Sequence, residues 1–263
     1  MMPRTIHPLL IVFAVLVFIF LVGPLVIVVG AALSDTSYLT FPPQGLSLRW
    51  FQNIFEIDAF RRTILTSLEI AFLSTGIALL VGVPAAYALN RYRVQLPGWL
   101  STLFVLPVLV PELVLGFSLL KNLATQFHAP IFISLVLGHS LLVLPYVVRV
   151  ISAALASFDF SIEEAAISLG SPRLKTFFTI LLPNVRSGVI AAFILAFITS
   201  INDVSISIFL TGPGMSTLPI QILAHMEQFF DPTVASVSVL LMGLTVAVMA
   251  VVERTLGLTF LAK

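Results

Sequence analysis

The sequence predicts an all-α integral membrane protein with six transmembrane helices. Apolar residues make up 59% of the 263-residue chain and charged residues only 10%, whereas soluble domains carry roughly a quarter charged residues. The mean hydropathy is +1.12. Six apolar runs are long enough for a helix to cross a hydrocarbon core, which takes about 20 residues. We therefore treat residues 1–263 as one transmembrane domain, with spans near residues 9–33, 63–89, 100–120, 131–152, 187–210 and 234–252.

The composition also argues against several function classes. The chain has no cysteine, so it forms no disulfide and holds no cysteine-ligated metal. Its net charge of +1 gives no indication of nucleic-acid binding. No P-loop of the form GxxxxGK followed by Ser or Thr occurs, so any ATP hydrolysis must come from another polypeptide. The histidines show no metal-ligand spacing and are read as packing or solvent-facing residues; they are His7, His128, His139 and His225.

The basic residues favour a topology with both termini in the cytoplasm. With the N-terminus inside, nine Lys and Arg residues fall in inner segments and four in outer ones, as the positive-inside rule requires. This topology places a cytoplasmic segment, residues 153–186, between the fourth and fifth spans. The inner group is Arg4, Arg91, Arg93, Arg149, Arg173, Lys175, Arg186, Arg254 and Lys263, and the outer group is Arg49, Arg61, Arg62 and Lys121.

Five prolines lie inside the predicted spans, namely Pro24, Pro84, Pro107, Pro111 and Pro145. Each removes a backbone donor and favours a kink. In lipid such breaks persist only where neighbouring helices, side chains or a wet cavity satisfy the freed carbonyls. We therefore expect helices that move or line a cavity rather than passive anchors.

Residues 161–183, which we call the hairpin, predict two short helices joined at a sharp elbow. Ser161 and Glu164 have the spacing of a capping box, which begins a helix. Gly170 suits a helix end that needs positive φ, and Pro172 suits the first turn of a second helix. The pattern alone leaves two interpretations open: an amphipathic hairpin that rests on the membrane surface, or a docking element for a partner.

The hairpin also carries a family signature. Its residues reproduce the EAA–G–I–LP pattern of ABC-importer permeases with complete spacing; they are Glu164, Ala165, Ala166, Gly170, Ile180, Leu182 and Pro183. The resemblance extends over nearly the whole chain, and residues 111–114, 144–147 and 200–219 resemble the spermidine/putrescine permease branch. The chain is similar to the second permease subunit of polyamine-type importers. This resemblance implies the type I ABC-importer permease fold, with the hairpin as the element that couples to the ATPase.

The resemblance further implies an ATP-driven importer in the bacterial inner membrane. This chain would pair with a homologous permease subunit as a heterodimer, with two copies of an ABC ATPase on the cytoplasmic side. A periplasmic or lipid-anchored substrate-binding protein would deliver the cargo from outside. ATP and magnesium would bind to the ATPase, while this chain would bind no cofactor, catalyse no reaction and contact membrane lipid but no nucleic acid.

Two acidic residues within the predicted spans, Asp203 and Glu112, are candidates for a substrate pathway. A charge at mid-bilayer costs roughly 2.5–3.5 kcal/mol, so such residues are functional hypotheses by default. We hypothesise that they line the translocation cavity with Asn202 and Ser205 as polar neighbours, and attract a cationic amine. Alternatives remain: Asp203 can make a helix-packing hydrogen bond or pair with the partner subunit, and a protonated Glu112 can stabilise the break at Pro107–Pro111.

Two outer features also have more than one interpretation. Glu69, near the outer end of the second span, is expected to reach the interface or pair with Arg62 rather than touch substrate. The loop 211–232 is either a short helix that dips into the outer vestibule or a plain surface cap.

The resemblance and the acidic residues together favour a polyamine or related amine as cargo. One departure counts against a polycation, since Asn202 stands where that branch often carries a second acidic residue before Asp203. Related permeases carry γ-aminobutyrate, opines, aminophosphonates, thiamine or ferric iron. A secondary transporter would also explain kinks and buried acids. It leaves the EAA pattern unexplained, however, and usually shows an internal repeat, which we do not find in this sequence.

Overall fold

The computed structural model describes residues 8–92 and 97–256, and their regular structure is helical apart from an isolated bridge between Gly212 and Met215. Arg4, Arg93, Lys263 and His7, which entered the sequence predictions, lie outside the described residues. The α-helices are α1 (Pro8–Ala32), α2 (Arg49–Glu56), α3 (Asp58–Arg91), α4 (Gly98–Leu109), α5 (Glu112–Leu119), α6 (Ile131–Leu155), α7 (Ser161–Ser168), α8 (Arg173–Thr176), α9 (Leu182–Asn184), α10 (Arg186–Ile201), α11 (Ser207–Leu210), α12 (Leu218–Gln228) and α13 (Thr233–Leu256). Two π-helical segments, Leu120–Gln126 and Phe177–Leu181, complete the helical structure of these residues.

Four helices in the described chain are long and apolar enough to cross a membrane, and a bent pair counts as a fifth if it forms one span. The four are Leu9–Ala32, Asp58–Arg91, Ile131–Leu155 and Thr233–Val251, which match four of the predicted spans. The bent pair consists of Arg173–Asn184 and Arg186–Ile201, with an angle of 75° between them. The all-α membrane fold is therefore confirmed, but a count of six long helices is not.

The third predicted span, residues 100–120, is divided at Pro111. Val110 has φ −86° and ψ 129°, an extended conformation, because a proline disfavours helical geometry in the residue before it. α4 therefore ends at Leu109 and α5 begins at Glu112. The other four prolines in the predicted spans lie within helices; these are Pro24, Pro84, Pro107 and Pro145.

The fifth predicted span, residues 187–210, is also interrupted. α10 ends at Ile201, where Asn202 leaves the helical region with φ −98° and ψ 2°. Five residues, 202–206, then separate α10 from the short helix α11. We call these residues the 202–206 break.

The chain divides into two compact units. Of the described residues, the first unit comprises 8–61 and 222–244 and contains α1, α2 and the first half of α13. Within it, Ser236 Oγ donates to the Ala32 carbonyl oxygen (3.3 Å) and Asn53 Nδ2 donates to Thr233 Oγ1 (2.9 Å). These bonds join the start of α13 to the end of α1 and to α2.

The second unit comprises the described residues 62–92, 97–221 and 245–256. Its central helix is α6, in which 61% of the most apolar 18-residue stretch is buried. Small residues let the neighbouring helices approach closely. A Cβ built on Gly188 of α10 would lie 2.4 Å from Ala154 Cβ of α6, and one built on Gly82 of α3 would lie 2.7 Å from Val147 Cγ1. This unit contains the hairpin, the 202–206 break and the acidic residues of the predicted pathway.

Candidate functional site

The hairpin contains the predicted helix, elbow and helix. α7 ends at Ser168, and Gly170 adopts φ +91°, a left-handed conformation that glycine accepts readily. The Ser171 amide donates to the Ala166 carbonyl oxygen (3.1 Å), and the Gly170 amide donates to the Ile167 carbonyl oxygen (2.9 Å). This is the Schellman arrangement, which satisfies the last carbonyls of α7 and fixes the direction of the elbow.

The start of α7 differs from the prediction, because the capping box between Ser161 and Glu164 is not formed. The Glu164 amide donates to the Phe160 carbonyl oxygen (3.1 Å), and the Ser161 amide donates to Asp159 Oδ1 (2.9 Å). The hydrogen bonds from Ser161 lower the pKa of Asp159, since they favour the ionised carboxylate. The capping side chain is thus Asp159, two residues before the serine that the pattern indicated.

The outer face of the hairpin presents exposed apolar side chains on both sides of the elbow. Leu169 is 90% exposed and Leu174 is 72% exposed. Large apolar side chains at this exposure, on both sides of one elbow, are candidates for a surface that a partner or lipid covers. Among the signature residues, Glu164, Ala165, Gly170 and Pro183 are exposed, and Ala166, Ile180 and Leu182 are half-buried. We call Leu169, Leu174 and the signature residues the docking surface.

The inner face of the hairpin holds Glu163, a carboxylate that is only 2% exposed. The Tyr87 hydroxyl donates a hydrogen bond to Glu163 Oε1, and Arg91 Nε lies 3.2 Å from Glu163 Oε2. The latter two atoms attract as charges, although neither has a hydrogen-bond partner of good geometry in the described chain. Arg91 Nη2 also donates to Glu164 Oε1 (2.8 Å). The sequence analysis did not predict a role for Glu163, which stands out in the sequence only as the charged residue before Glu164 of the EAA signature.

A second set of polar contacts surrounds the 202–206 break. Asp203 Oδ2 accepts hydrogen bonds from the Ser207 amide (2.9 Å), from Ser207 Oγ (3.0 Å) and from the Ile206 amide (3.2 Å). Asp203 is buried, so its carboxylate serves as an internal acceptor at the start of α11. This geometry is the intrachain hydrogen bonding expected from one of the three interpretations of Asp203, the others being a place in the substrate pathway and a pairing with the partner subunit.

His139, on α6, is the centre of a buried network beside that break. Its Nε2 lies 3.0 Å from Ser207 Oγ and 3.6 Å from Asp203 Oδ2. Its Nδ1 lies 2.9 Å from Ser200 Oγ, which in turn lies 3.1 Å from Ser74 Oγ. The network therefore joins α3, α6, α10 and α11, and the sequence prediction missed it because its members are far apart along the chain. Within the described ranges, no three His, Cys, Asp or Glu side chains are grouped to hold a metal ion.

Glu112, Asn202 and Ser205 are less enclosed than Asp203. Glu112 and Asn202 are exposed, and Ser205 is half-buried. A Cβ built on Gly116 of α5 would lie 3.0 Å from the Ser205 carbonyl oxygen, so α5 packs directly on the 202–206 break. Glu112 lies one turn before Gly116, about 6 Å along the helix axis. The 202–206 break therefore packs on α5 one turn beyond Glu112, the exposed carboxylate with which α5 begins.

Comparisons with known proteins bear on this arrangement. The sequence profile of a family described as binding-protein-dependent transport system inner membrane component matches residues 78–257. The chain is 31% identical to the putrescine transport system permease protein PotI of Escherichia coli (strain K12), over 92% of this chain and 88% of that protein. It is 29% identical to the spermidine/putrescine transport system permease protein PotC of Haemophilus influenzae, over 89% of this chain and 91% of that protein. A chain of the inward-facing MetNI methionine ABC transporter superposes with a TM-score of 0.63 at 19% identity, covering 74% of this chain and 93% of that one.

Proposed function

We propose the cargo and the contacts of this chain from one premise: it belongs to the family of binding-protein-dependent transport system inner membrane components. It is the permease subunit of an ABC importer and has the fold of such permeases. A subunit of this kind is a non-catalytic component of the inner membrane. It works with an ATPase, which hydrolyses ATP, and with a substrate-binding protein, which delivers the cargo.

The cargo that we propose is a polyamine such as putrescine or spermidine. The relatives named for putrescine and for spermidine/putrescine transport support this choice. The structural observation that carries it is the exposed carboxylate of Glu112 beside the 202–206 break. A charge turned to lipid would cost roughly 2.5–3.5 kcal/mol, so this face of α5 is expected to line a wet pathway. There the carboxylate attracts a protonated amine, with Asn202 and Ser205 as polar contacts and Asp203 ordering the backbone between them.

We further propose that α5 faces a second, homologous permease subunit across this pathway, as a heterodimer. Leu113, Val114 and Phe117 are all more than half exposed on the helix that carries Glu112. A helix with an exposed carboxylate among exposed apolar groups is best accommodated where protein covers the apolar part and water reaches the acid. The heterodimer would bind two copies of the ATPase on its cytoplasmic side, and the ATPase would bind the ATP and magnesium.

The docking surface of the hairpin is the contact that we propose for the ATPase. Both chain termini would then lie in the cytoplasm, on the hairpin's side of the membrane, in agreement with the nine basic residues of the inner segments against four outside. The Schellman elbow at Gly170 supports this role. An elbow whose amides and carbonyls are paired transmits a displacement, whereas an unpaired loop would absorb it.

The cargo proposal is tested by uptake of radiolabelled putrescine into proteoliposomes that contain the whole importer. Glu112→Gln should lower uptake about tenfold, which corresponds to the loss of about 1.4 kcal/mol of attraction for the amine. Glu69→Gln is the matched control, because it removes another exposed intramembrane carboxylate, on α3. Equal uptake by the wild type and both variants would refute the role of Glu112. A binding protein whose thermal unfolding does not respond to any polyamine would refute the cargo.

The docking proposal is tested by co-purification of the ATPase with the permease. Leu169→Asp and Leu174→Asp each place a charge on the docking surface and should release the ATPase, since burying an unpaired charge is costly. Leu46→Asp is the matched control, because Leu46 is 80% exposed on the loop before α2, on the predicted outer side. Full ATPase recovery with both hairpin variants would exclude this surface as the contact.

A further inference from the structure

We propose that Glu163, Tyr87 and Arg91 form a latch that makes the hairpin and α3 move as one body during transport. This inference rests on the proposed docking of the ATPase at the hairpin. Glu163 is buried beneath the docking surface rather than part of it. It is therefore a positioning residue, whose effect passes through the orientation of the hairpin rather than through contact with the ATPase.

The first support is the way in which α3 encloses the carboxylate. A buried carboxylate is tolerated only where charge and hydrogen bonds compensate its lost hydration. Both compensating groups come from one face of α3, because Tyr87 and Arg91 are four residues apart. The Tyr87 hydroxyl bonds Glu163 Oε1 and the Arg91 guanidinium lies against Glu163 Oε2. Separating α7 from α3 would take both compensating groups away from this carboxylate, so the two helices are expected to stay together.

The second support is aromatic packing, which ties both arms of the hairpin to the same helix. The Tyr87 ring lies 5.4 Å, centroid to centroid, from Phe177 on the second arm and 6.4 Å from Phe160 at the start of the first. The Arg91 guanidinium stands 5.5 Å from the Phe160 ring. Aromatic pairs and cation–π contacts at these distances are favourable. α3 is thus fixed to the hairpin on both sides of the Gly170 elbow.

The third support is a contact that α3 makes far from the hairpin. Ser74 precedes Tyr87 on α3 by 13 residues, which is about 20 Å along a helix. Ser74 Oγ lies 3.1 Å from Ser200 Oγ, the hydroxyl that also contacts His139 beside the 202–206 break. A single helix therefore runs from the hairpin to the buried network next to the proposed pathway. A latched hairpin can move this network, whereas an unlatched hairpin would move without it.

The test compares ATPase binding with transport in the complete importer. Glu163→Gln and Tyr87→Phe should leave the ATPase bound while uptake per ATP hydrolysed falls about tenfold, within the range of ordinary coupling free energies. The double variant should be no worse than the more severe single variant, because both changes open one latch. Tyr146→Phe is the matched control, since it removes a hydroxyl from α6. Unchanged uptake per ATP in the two latch variants, or additive losses in the double variant, would overturn the proposal.

A covalent replacement of the latch gives a second test. This chain has no native cysteine, so the two introduced ones are its only thiols, and the other subunits are used in cysteine-free form. The double variant Tyr87→Cys, Glu163→Cys is measured before and after treatment with a short bifunctional methanethiosulfonate, so each sample is its own folding control. Cross-linking should restore uptake per ATP if α3 and the hairpin travel together. Unchanged or further reduced uptake would show that they move separately and would overturn the latch. Failure of the docking proposal looks different, since the ATPase would then remain bound to Leu169→Asp and Leu174→Asp.

Discussion

Gly188 of α10 packs directly against the side chain of Ala154 of α6: a Cβ on the glycine would lie 2.4 Å from the alanine Cβ. Such a distance is impossible for two real carbon atoms that are not bonded, so the residue at 188 must lack a side chain. Close approach of this kind takes the place of the hydrophobic effect, which does not drive helices together in lipid. The α6–α10 crossing therefore depends on one glycine.

Gly188→Ala should destabilise the protein by about 1–3 kcal/mol, the usual cost of overpacking a tight contact. The pair Gly188→Ala, Ala154→Gly should recover most of this loss, because it exchanges the two residues across the same contact and keeps the number of helical glycines. The midpoint of thermal unfolding in detergent measures both. Gly243→Ala on α13 is the control, because nothing lies within 4 Å of its Cβ position. A double variant as unstable as the single one would contradict the direct contact.

Gly170→Ala should strain the elbow without any steric clash. Gly170 has φ +91° and nothing within 4 Å of its Cβ position, so the cost is that of a left-handed L-residue, about 1–2 kcal/mol. ATPase co-purification should fall for Gly170→Ala and less for Gly170→Asn, since asparagine tolerates this conformation better. Gly76→Ala inside α3 is the control, with an equally open Cβ position. Equal ATPase recovery for all four proteins would show that the elbow conformation does not matter.

Asp159 predicts a pH dependence at the start of the hairpin. Hydrogen bonds from Ser161 lower its pKa from the ordinary value of 3.8, so the carboxylate stabilises α7 fully above that value. The stabilisation is lost as the pH falls through the lowered pKa of the folded state. Amide exchange of residues 161–164 should therefore accelerate in the wild type relative to Asp159→Asn below pH 3.8, because asparagine caps a helix without titrating. The same ratio at every pH would contradict a role for the ionised cap.

Asp203→Asn and Asp203→Ala should differ in stability. Asparagine keeps an oxygen that accepts from the Ser207 amide, whereas alanine removes the cap of α11 and should cost about 1 kcal/mol. We expect Asp203→Asn to keep putrescine uptake, because in the wild type the Asp203 carboxylate is already hydrogen-bonded to Ser207 within the chain. The two measurements are the thermal unfolding midpoint and proteoliposome uptake. A loss of uptake in Asp203→Asn at unchanged stability would show instead that its charge acts on the cargo.

Hydropathy was sufficient for the long helices, because a span needs little more than a sustained apolar run. Residues 9–33 and 131–152 were predicted within a few residues of Leu9–Ala32 and Ile131–Leu155. The division at Pro111 was predicted only as a kink, since five span prolines look alike in sequence and only this one breaks its helix. What distinguishes it is the extended Val110 before it, whereas the helix α6 continues through Pro145.

The polar interactions were less predictable, for two physical reasons. The cap at Asp159 and the acceptor at Asp203 are local, and an acidic residue just before a helix is a readable signal that the apolar run and the capping-box pattern obscured. The contact of Glu163 with Tyr87, in contrast, joins residues 76 positions apart. Long-range pairs of this type follow from the packing of helices, which hydropathy and spacing do not specify. The same holds for the network around His139.

Because of the 75° bend between Arg173–Asn184 and Arg186–Ile201, the second arm of the hairpin projects sideways from α10 and acts on it as a lever arm. The arm has 12 residues, or about 18 Å. A stroke of about 3 Å at its far end would turn it by about 10°, given that helical rise. A small displacement by the ATPase would then be enough to twist α10. The length of the arm would set the ratio between that displacement and the angle through which α10 turns. Lengthening the arm by one helical turn, about 5 Å, would lower the angle that it turns for each ångström of movement at its far end.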